Sequence, residues 1–438
     1  MKKDCMDAVR PIALLGAVAI SIVLGGMARL EGSKPLFDQI SAINMSEPTP
    51  VGAWDITLDG ALENTVVTKP IIAANTRFGI KLFSQIYQQE KAKNIFISPL
   101  SLTLALQMLN GGATGATHEA IASVLETPGM EQEQIDSTLS ALQTYLQERD
   151  SEVELAIANS FWRQQGDSFN SNFIQRIETC YQALSREIDF SNPATAAPLI
   201  NGWVGQETRQ KIDHILEPHE IMSGTVALLV NAIYFKSAWL SPFSEADTRE
   251  HPFVLADGQI QPHPLMFQTQ EFAYYENALF QAIALPYGNT AEVNLYIFLP
   301  KSEVGLDSFL EKLNSENWNL WLKDYWEHKP IKLGLPRFKI EYEIELKDLL
   351  TAMNMGIAFS PQADFSSITP EPFWISKIKH KTFVEVNEEG TEASAVTGIL
   401  GTRSGPVEMI MDRPFFFAIR DDTTGTLLFM GTLVNPTL

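Results

Sequence analysis

Only two cysteines occur in the 438 residues, Cys5 ahead of the first apolar run and Cys180 deep in the chain. No disulfide framework of the kind that staples small secreted domains is available, so an apolar core must hold the fold. Basic residues are also scarce. There are 32 Lys and Arg against 53 Asp and Glu, a formal net charge of −21, and no run of five or six basic residues. An acidic surface repels phosphate backbones and sulfated polyanions, which argues against nucleic acid and heparin-like chains as partners.

Catalytic signatures are missing as well. The chain has no G-x-S-x-G elbow, no G-x-x-x-x-G-K phosphate loop and no G-x-G-x-x-G opening a helix. The seven histidines, His118, His214, His219, His251, His263, His328 and His380, form no H-E-x-x-H pair and no Cys/His cluster with metal-ligand spacing. His214 and His219 flank Glu217 and Pro218, and the proline spoils a helical ligand pair. No internal repeat or low-complexity tract is present. The expectation is a protein that is not an enzyme and holds no cofactor, metal, nucleotide or prosthetic group.

What the chain does have is apolar material: 45% of its residues are hydrophobic, enough for a large core. Lys2, Lys3 and Arg10 precede an uncharged stretch, Ile12 to Ala28. It reads as a signal peptide, with Gly26 and Ala28 as the small residues of a cleavage site, and it is also at the lower length limit of a membrane anchor. Either reading sends the chain out of the cytoplasm, as a secreted, extracellular or periplasmic protein or one tethered to the membrane. Residues 29–70 carry Pro35, Pro48, Pro50, Gly52, Gly60 and Pro70 without a clean period and read as a linker or N-terminal arm.

Regular patterning begins at Ile71. Helical spacing predicts a helix from Ile71 to Lys91, a second from Pro99 to Asn110 capped by Ser98 and stopped at Gly111-Gly112, and an acidic one from Glu131 to Glu148. Strand-like runs cover Val153–Trp162, Val226–Phe235, Ala282–Leu285, Val293–Leu299, Ile331–Ile340, Lys381–Val386, Phe415–Ile419 and Leu427–Leu433. Helices first and strands later indicate an α+β fold rather than alternating βαβ units.

The most informative stretch runs from Lys381 to Pro414. A strand leads into Gly390, and no charge occurs between Ala393 and Thr402. Thr391, Ala393, Ala395 and Thr397 alternate and are all small, so in an extended conformation they would share a slim face that can slide under a packed layer. Glu392, Ser394, Val396 and Gly398 would face solvent. The segment suits an exposed loop in one state and a central strand in another, although composition alone favours an ordinary flexible surface loop.

This segment resembles the hinge and reactive loop of the serpins. The resemblance extends through Asn94-Ile-Phe-Ile-Ser-Pro-Leu-Ser101, Asn231-Ala-Ile-Tyr-Phe-Lys-Ser-Ala-Trp239, Leu335-Pro-Arg-Phe-Lys-Ile340, Ala363-Asp-Phe-Ser366, Ser376–His380, Leu428-Phe-Met-Gly431 and Val434-Asn-Pro436, in the family's order. It covers 71–438. It implies the serpin fold: a large mixed or antiparallel central β-sheet, further sheets, about eight or nine helices and an exposed reactive loop.

The resemblance also implies a function. Serpins offer a bait loop, and a target serine protease that cleaves it is trapped as a covalent acyl-enzyme when the loop inserts into the main sheet. About ten inserted residues add about ten ladder hydrogen bonds at roughly 1 kcal/mol net each. That rivals the whole stability of a domain, so the native form must be held by a barrier. Carried over by position, Glu388, Glu389 and Gly390 begin the hinge, and Gly390, Thr391, Glu392, Ala393, Ser394, Ala395, Val396 and Thr397 form the inserting segment. Glu388 is expected to pair with Arg337 at the top of the sheet. Ser98, Ser101, Asn231 and His380 match the polar cluster beneath the opening strands, and Trp239 matches the sheet-top tryptophan. The bait bond is Arg403–Ser404, implying a trypsin-like target, or Ser404–Gly405, implying an elastase-like or subtilisin-like one. The expected partner is a target protease bound by a monomeric inhibitor. The competing reading is a non-inhibitory serpin acting as carrier or chaperone.

Overall fold

The computed structural model describes residues 69–437, apart from 151, 223, 324, 325 and 389–404. The apolar stretch Ile12–Ala28 and nearly all of the arm at 29–70 thus lie outside the described residues. No helix among those described is long and apolar enough to cross a membrane.

The helix Lys69–Glu90 buries Ile72, Phe78, Leu82, Phe83 and Ile86 along one face. Pro99–Asn110 starts at Ser98, whose hydroxyl accepts the Ser101 amide at 3.2 Å, and stops at Gly111. Proline suits its first position because the missing N–H has no partner there anyway. Every residue of this helix is buried, so it runs through the interior rather than along the surface. Gln132–Glu148 is the acidic helix expected, and nine α-helices occur among the described residues.

Fourteen strands form two sheets. The five-stranded sheet runs Phe338–Glu345, Lys379–Val386, Ala227–Ser237, Val153–Gln164 and Leu184–Ile188 in spatial order. In the nine-stranded sheet, Leu427–Leu433 and Phe415–Asp421 follow the edge strand Ile95–Ile97 in that order, and Val407–Ile410 forms the opposite edge. Between the sheets lies the main core, with Pro99–Asn110 inside it. A smaller core lies on the other face of the five-stranded sheet, where the helix Pro193–Glu207 packs on Val230, Ala232, Tyr234 and Phe383.

One strand expectation is corrected. Ile331–Ile340 is not continuous: Glu327–Pro336 belongs to the nine-stranded sheet and Phe338–Glu345 to the five-stranded one. Pro336 cannot donate to a ladder, so pairing is interrupted where the chain crosses between sheets. Arg337 is left at the corner, its amide bonded to the Pro264 carbonyl at 3.2 Å.

An aromatic cluster ties the helices to the nine-stranded sheet. Phe298 is fully buried, with its ring 5.2 Å from Phe280, 5.8 Å from Phe309 and 5.9 Å from Phe416. Phe298→Ala should destabilise the native state by about 3–5 kcal/mol, read as a lowered thermal midpoint.

Candidate functional site at the seam of the five-stranded sheet

Lys379–Val386 and Ala227–Ser237 are neighbours and parallel, and their ladder has three rungs, from Lys381↔Ala232 to Phe383↔Tyr234. Their outer ladders are far longer. Lys379–Val386 makes eight antiparallel rungs with Phe338–Glu345, and Ala227–Ser237 makes eleven with Val153–Gln164. The centre of the sheet is therefore its weakest seam.

Polar side chains lie beneath this seam in the core. Asn159 and Asn231 are direct cross-strand neighbours facing inward, and Asn231 Nδ2 donates to Asn159 Oδ1 at 2.8 Å. The Ser101 hydroxyl donates to Asn231 Oδ1, and the Ser98 hydroxyl to the Leu428 carbonyl at 2.7 Å. The Ser98 amide donates to His380 Nε2 at 3.0 Å. Thr382 donates to the Phe96 carbonyl at 2.6 Å. Ser98, Ser101, Asn231 and His380 are thus brought together. Asn159 and Thr382 were missed, although Asn159 was detectable as a polar residue in the apolar alternation Leu155, Ile157, Phe161.

His380 is completely buried. Burial alone pushes its pKa down to about 3, so the ring is neutral. Because Nε2 accepts from Ser98, Nδ1 carries the proton, and that atom has no hydrogen-bond partner among the described residues.

At the top of the seam the chain is pinned before it leaves the sheet. Trp239 Nε1 donates to the Asn387 carbonyl at 2.8 Å, and its ring stacks on Tyr287 at 4.4 Å. Glu388 is buried and accepts from Arg337 Nε at 2.6 Å and from the Thr248 hydroxyl. Burial opposes ionisation of Glu388, but these hydrogen bonds outweigh it and hold the carboxyl below its usual range. The remaining expected loop residues, Glu389, Gly390, Thr391, Glu392, Ala393, Ser394, Ala395, Val396, Thr397, Arg403 and Ser404, lie outside the described residues. The described chain resumes at Gly405, and Val407–Ile410 then pairs in parallel with Ile331–Gly334 at the edge of the nine-stranded sheet. The loop region therefore connects the weak seam of one sheet to the edge of the other. Among the described residues no group of His, Cys, Asp or Glu could hold a metal ion.

A family model described as Serpin (serine protease inhibitor) matches residues 73–436. The chain belongs to the serpin family. Human neuroserpin is 31% identical over 369 residues, covering 82% of this chain and 90% of that protein. A serpin-like protein of Thermococcus kodakarensis is 32% identical over 437 residues, covering 98% of this chain and 99% of that one. The crystal structure of tengpin, a thermophilic serpin, in its native state superposes with a TM-score of 0.75 at 28% identity, covering 84% of this chain and 95% of that one. The nine helices and mixed sheets are those of the serpin fold. Serpins are in general serine protease inhibitors and not hydrolases.

The neutral His380 of this serpin carries a pH signature. Its folded pKa is below the ordinary 6.5, so the unfolded chain binds the proton more readily. Stability is unaffected above pH 6.5 and falls below it, by about 1.4 kcal/mol per pH unit at full slope. Glu388 begins to lose its contribution only below the ordinary 4.5, so the two losses fall in different pH ranges. Urea unfolding from pH 6.5 to 5 should show this loss in the wild type and a flatter profile in His380→Gln.

Proposed function

We propose that this serpin is an inhibitor of a trypsin-like serine protease and acts as a suicide substrate. The observation that carries the proposal is the three-rung parallel seam, one strand of which, Lys379–Val386, runs through the pinned Glu388 into the small-residue segment. A strand entering antiparallel between two parallel strands replaces one short ladder with two antiparallel ones. The segment after Glu388 needs only to reverse direction to enter in that sense.

The chemistry begins on the protease. Its serine oxygen attacks the Arg403 carbonyl carbon, the Arg403–Ser404 C–N bond breaks, and the serine proton passes through the protease histidine to the new Ser404 amine. The resulting ester links protease to inhibitor. Residues 390–397 then enter the seam, the protease is dragged with them, and distortion of its active site prevents water from hydrolysing the ester. Thr391, Ala393, Ala395 and Thr397 face the packed layer. A guanidinium at Arg403 suits an acidic specificity pocket, whereas cleavage one bond later would direct the inhibitor to an elastase-like or subtilisin-like enzyme. The Lys2–Ala28 segment supports an exported protein that meets its target outside the cytoplasm, and the inhibitor acts as a monomer.

Mixing the protein with trypsin tests the proposal on a denaturing gel. A covalent band of summed mass is expected; cleavage without that band would instead indicate a non-inhibitory carrier or chaperone. N-terminal sequencing of the released fragment should begin at Ser404, and a start at Gly405 would move the bait bond. Thr391→Arg should turn the inhibitor into a substrate that is cut but forms no covalent band, because a long cation cannot pass under the packed layer.

A further inference from the structure

The strands that receive the returning loop carry a cation that nothing neutralises. In the nine-stranded sheet, the edge strand Val407–Ile410 is followed inward by Glu327–Pro336, Ile260–Glu276 and Thr248–Val254. Three Lys or Arg stand on these four strands. Lys329 pairs with Glu327 at 3.1 Å, and Lys332 with Glu408 at 2.7 Å. Arg249 is exposed, and among the described residues no carboxylate oxygen lies within 4.0 Å of its guanidinium. In a chain of net charge −21, it keeps its full positive charge within a negative surround.

Arg249 is also held in place. Its guanidinium carbon lies 3.9 Å from the centroid of the Phe267 ring. Phe267 stands opposite Gly334, and Gly334 opposite Ile410 of the edge strand. A side chain on Gly334 would meet the Phe267 ring at 2.9 Å and the Ile410 side chain at 3.1 Å, so the glycine leaves the room that both occupy. On the other side, Thr248 next to Arg249 donates to Glu388, where the chain departs for the loop. Arg249 thus stands between the two ends of the loop segment, on a ring that fixes the charge without cancelling it.

Chain length brings a bound protease to this point. From Arg403 to Val407 the backbone can span about 14 Å at most. Arg249 lies three strands in from the edge strand, about 14 Å away. A protease domain of about 200 residues has a radius of gyration of about 16 Å, so an enzyme engaged at the bait bond reaches Arg249. We infer that Arg249, seated on Phe267, is a docking contact for the acidic active-site rim of the target protease. This rests on the inhibitory reading above and adds a second determinant of target choice to Arg403. An enzyme with an acidic specificity pocket presents negative potential around the pocket mouth, and a fixed guanidinium beside the bait loop is attracted to it. Attraction of this kind speeds the encounter and leaves the later chemistry and insertion alone.

The test measures, for the full chain and trypsin, the second-order rate of covalent complex formation and the amount of inhibitor consumed per enzyme trapped. Arg249→Gln should slow complex formation roughly three- to tenfold at low salt, and Arg249→Glu should slow it further. Arg249→Lys keeps the charge and should retain most of the rate. The gap between wild type and Arg249→Gln should narrow as salt is raised, because screening weakens a contact between exposed charges. The inhibitor consumed per enzyme should be the same in all of them, since insertion is untouched. Arg186→Gln removes an arginine that lies over Trp162 in the other sheet and should leave the rate unchanged. Unchanged rates in Arg249→Gln and Arg249→Glu, an equal loss in Arg249→Lys, or an equal loss in Arg186→Gln would overturn the docking contact while leaving inhibition intact. Absence of any covalent complex from the wild type would overturn the inhibitory reading itself, and the contact with it.

Discussion

Two parallel strands joined by three rungs are the constraint on which the rest of this molecule depends. Lys379–Val386 and Ala227–Ser237 are each bound over most of their length on the outer side and barely bound to each other. Antiparallel ladders are also slightly more stable per residue than parallel ones. A strand inserted here therefore gains on both edges and sacrifices little. Among the described residues, no other ladder of the five-stranded sheet combines a short parallel pairing with a strand that leads in sequence into a run of small residues.

Under the proposed inhibitory mechanism that gain is available and unused in the intact form, which is then held by a barrier rather than by equilibrium. The structure distributes its restraints along the seam. At the top, Trp239 holds the Asn387 carbonyl while Arg337 and Thr248 hold Glu388. In the middle, Ser98, Ser101, Asn159, Asn231 and His380 connect both strands to the core helix. On the outer face, the connector after Glu207 lies over the lower half, fastened through Glu220. The restraints at the top and on the outer face include ion pairs, and the inner ones are hydrogen bonds between neutral groups, so salt and acid act on different parts of the barrier.

Much of this was legible in the sequence, for identifiable reasons. The core helix announced itself through Ser98, Pro99 and Gly111, because caps and stops are local chemistry. The pairing of Arg337 with Glu388 followed from position in the family's motifs and is present. The division of Ile331–Ile340 was not visible, because apolar residues continue across Pro336 and only the change of sheet breaks the ladder. The helix Pro193–Glu207 was missed altogether. It contains Pro198 and is rich in alanine and glycine, and its burial comes from packing on the sheet rather than from a strong amphipathic pattern. The contact of Glu220 with Lys377 was hidden for a related reason: the two are 157 positions apart, and only the path of the connector brings them together.

The choice of polar groups under the seam has a physical logic of its own. A wholly apolar contact there would bind through area alone, and parting the strands would expose that area at full cost. Hydrogen bonds between neutral side chains contribute little net energy when intact but demand a defined geometry. His380 is the extreme case: one nitrogen is satisfied by the Ser98 amide, while the Nδ1–H is buried with no partner among the described residues. An unsatisfied buried donor raises the energy of the state that contains it. The cluster therefore specifies how the seam is closed without binding the two strands strongly to each other.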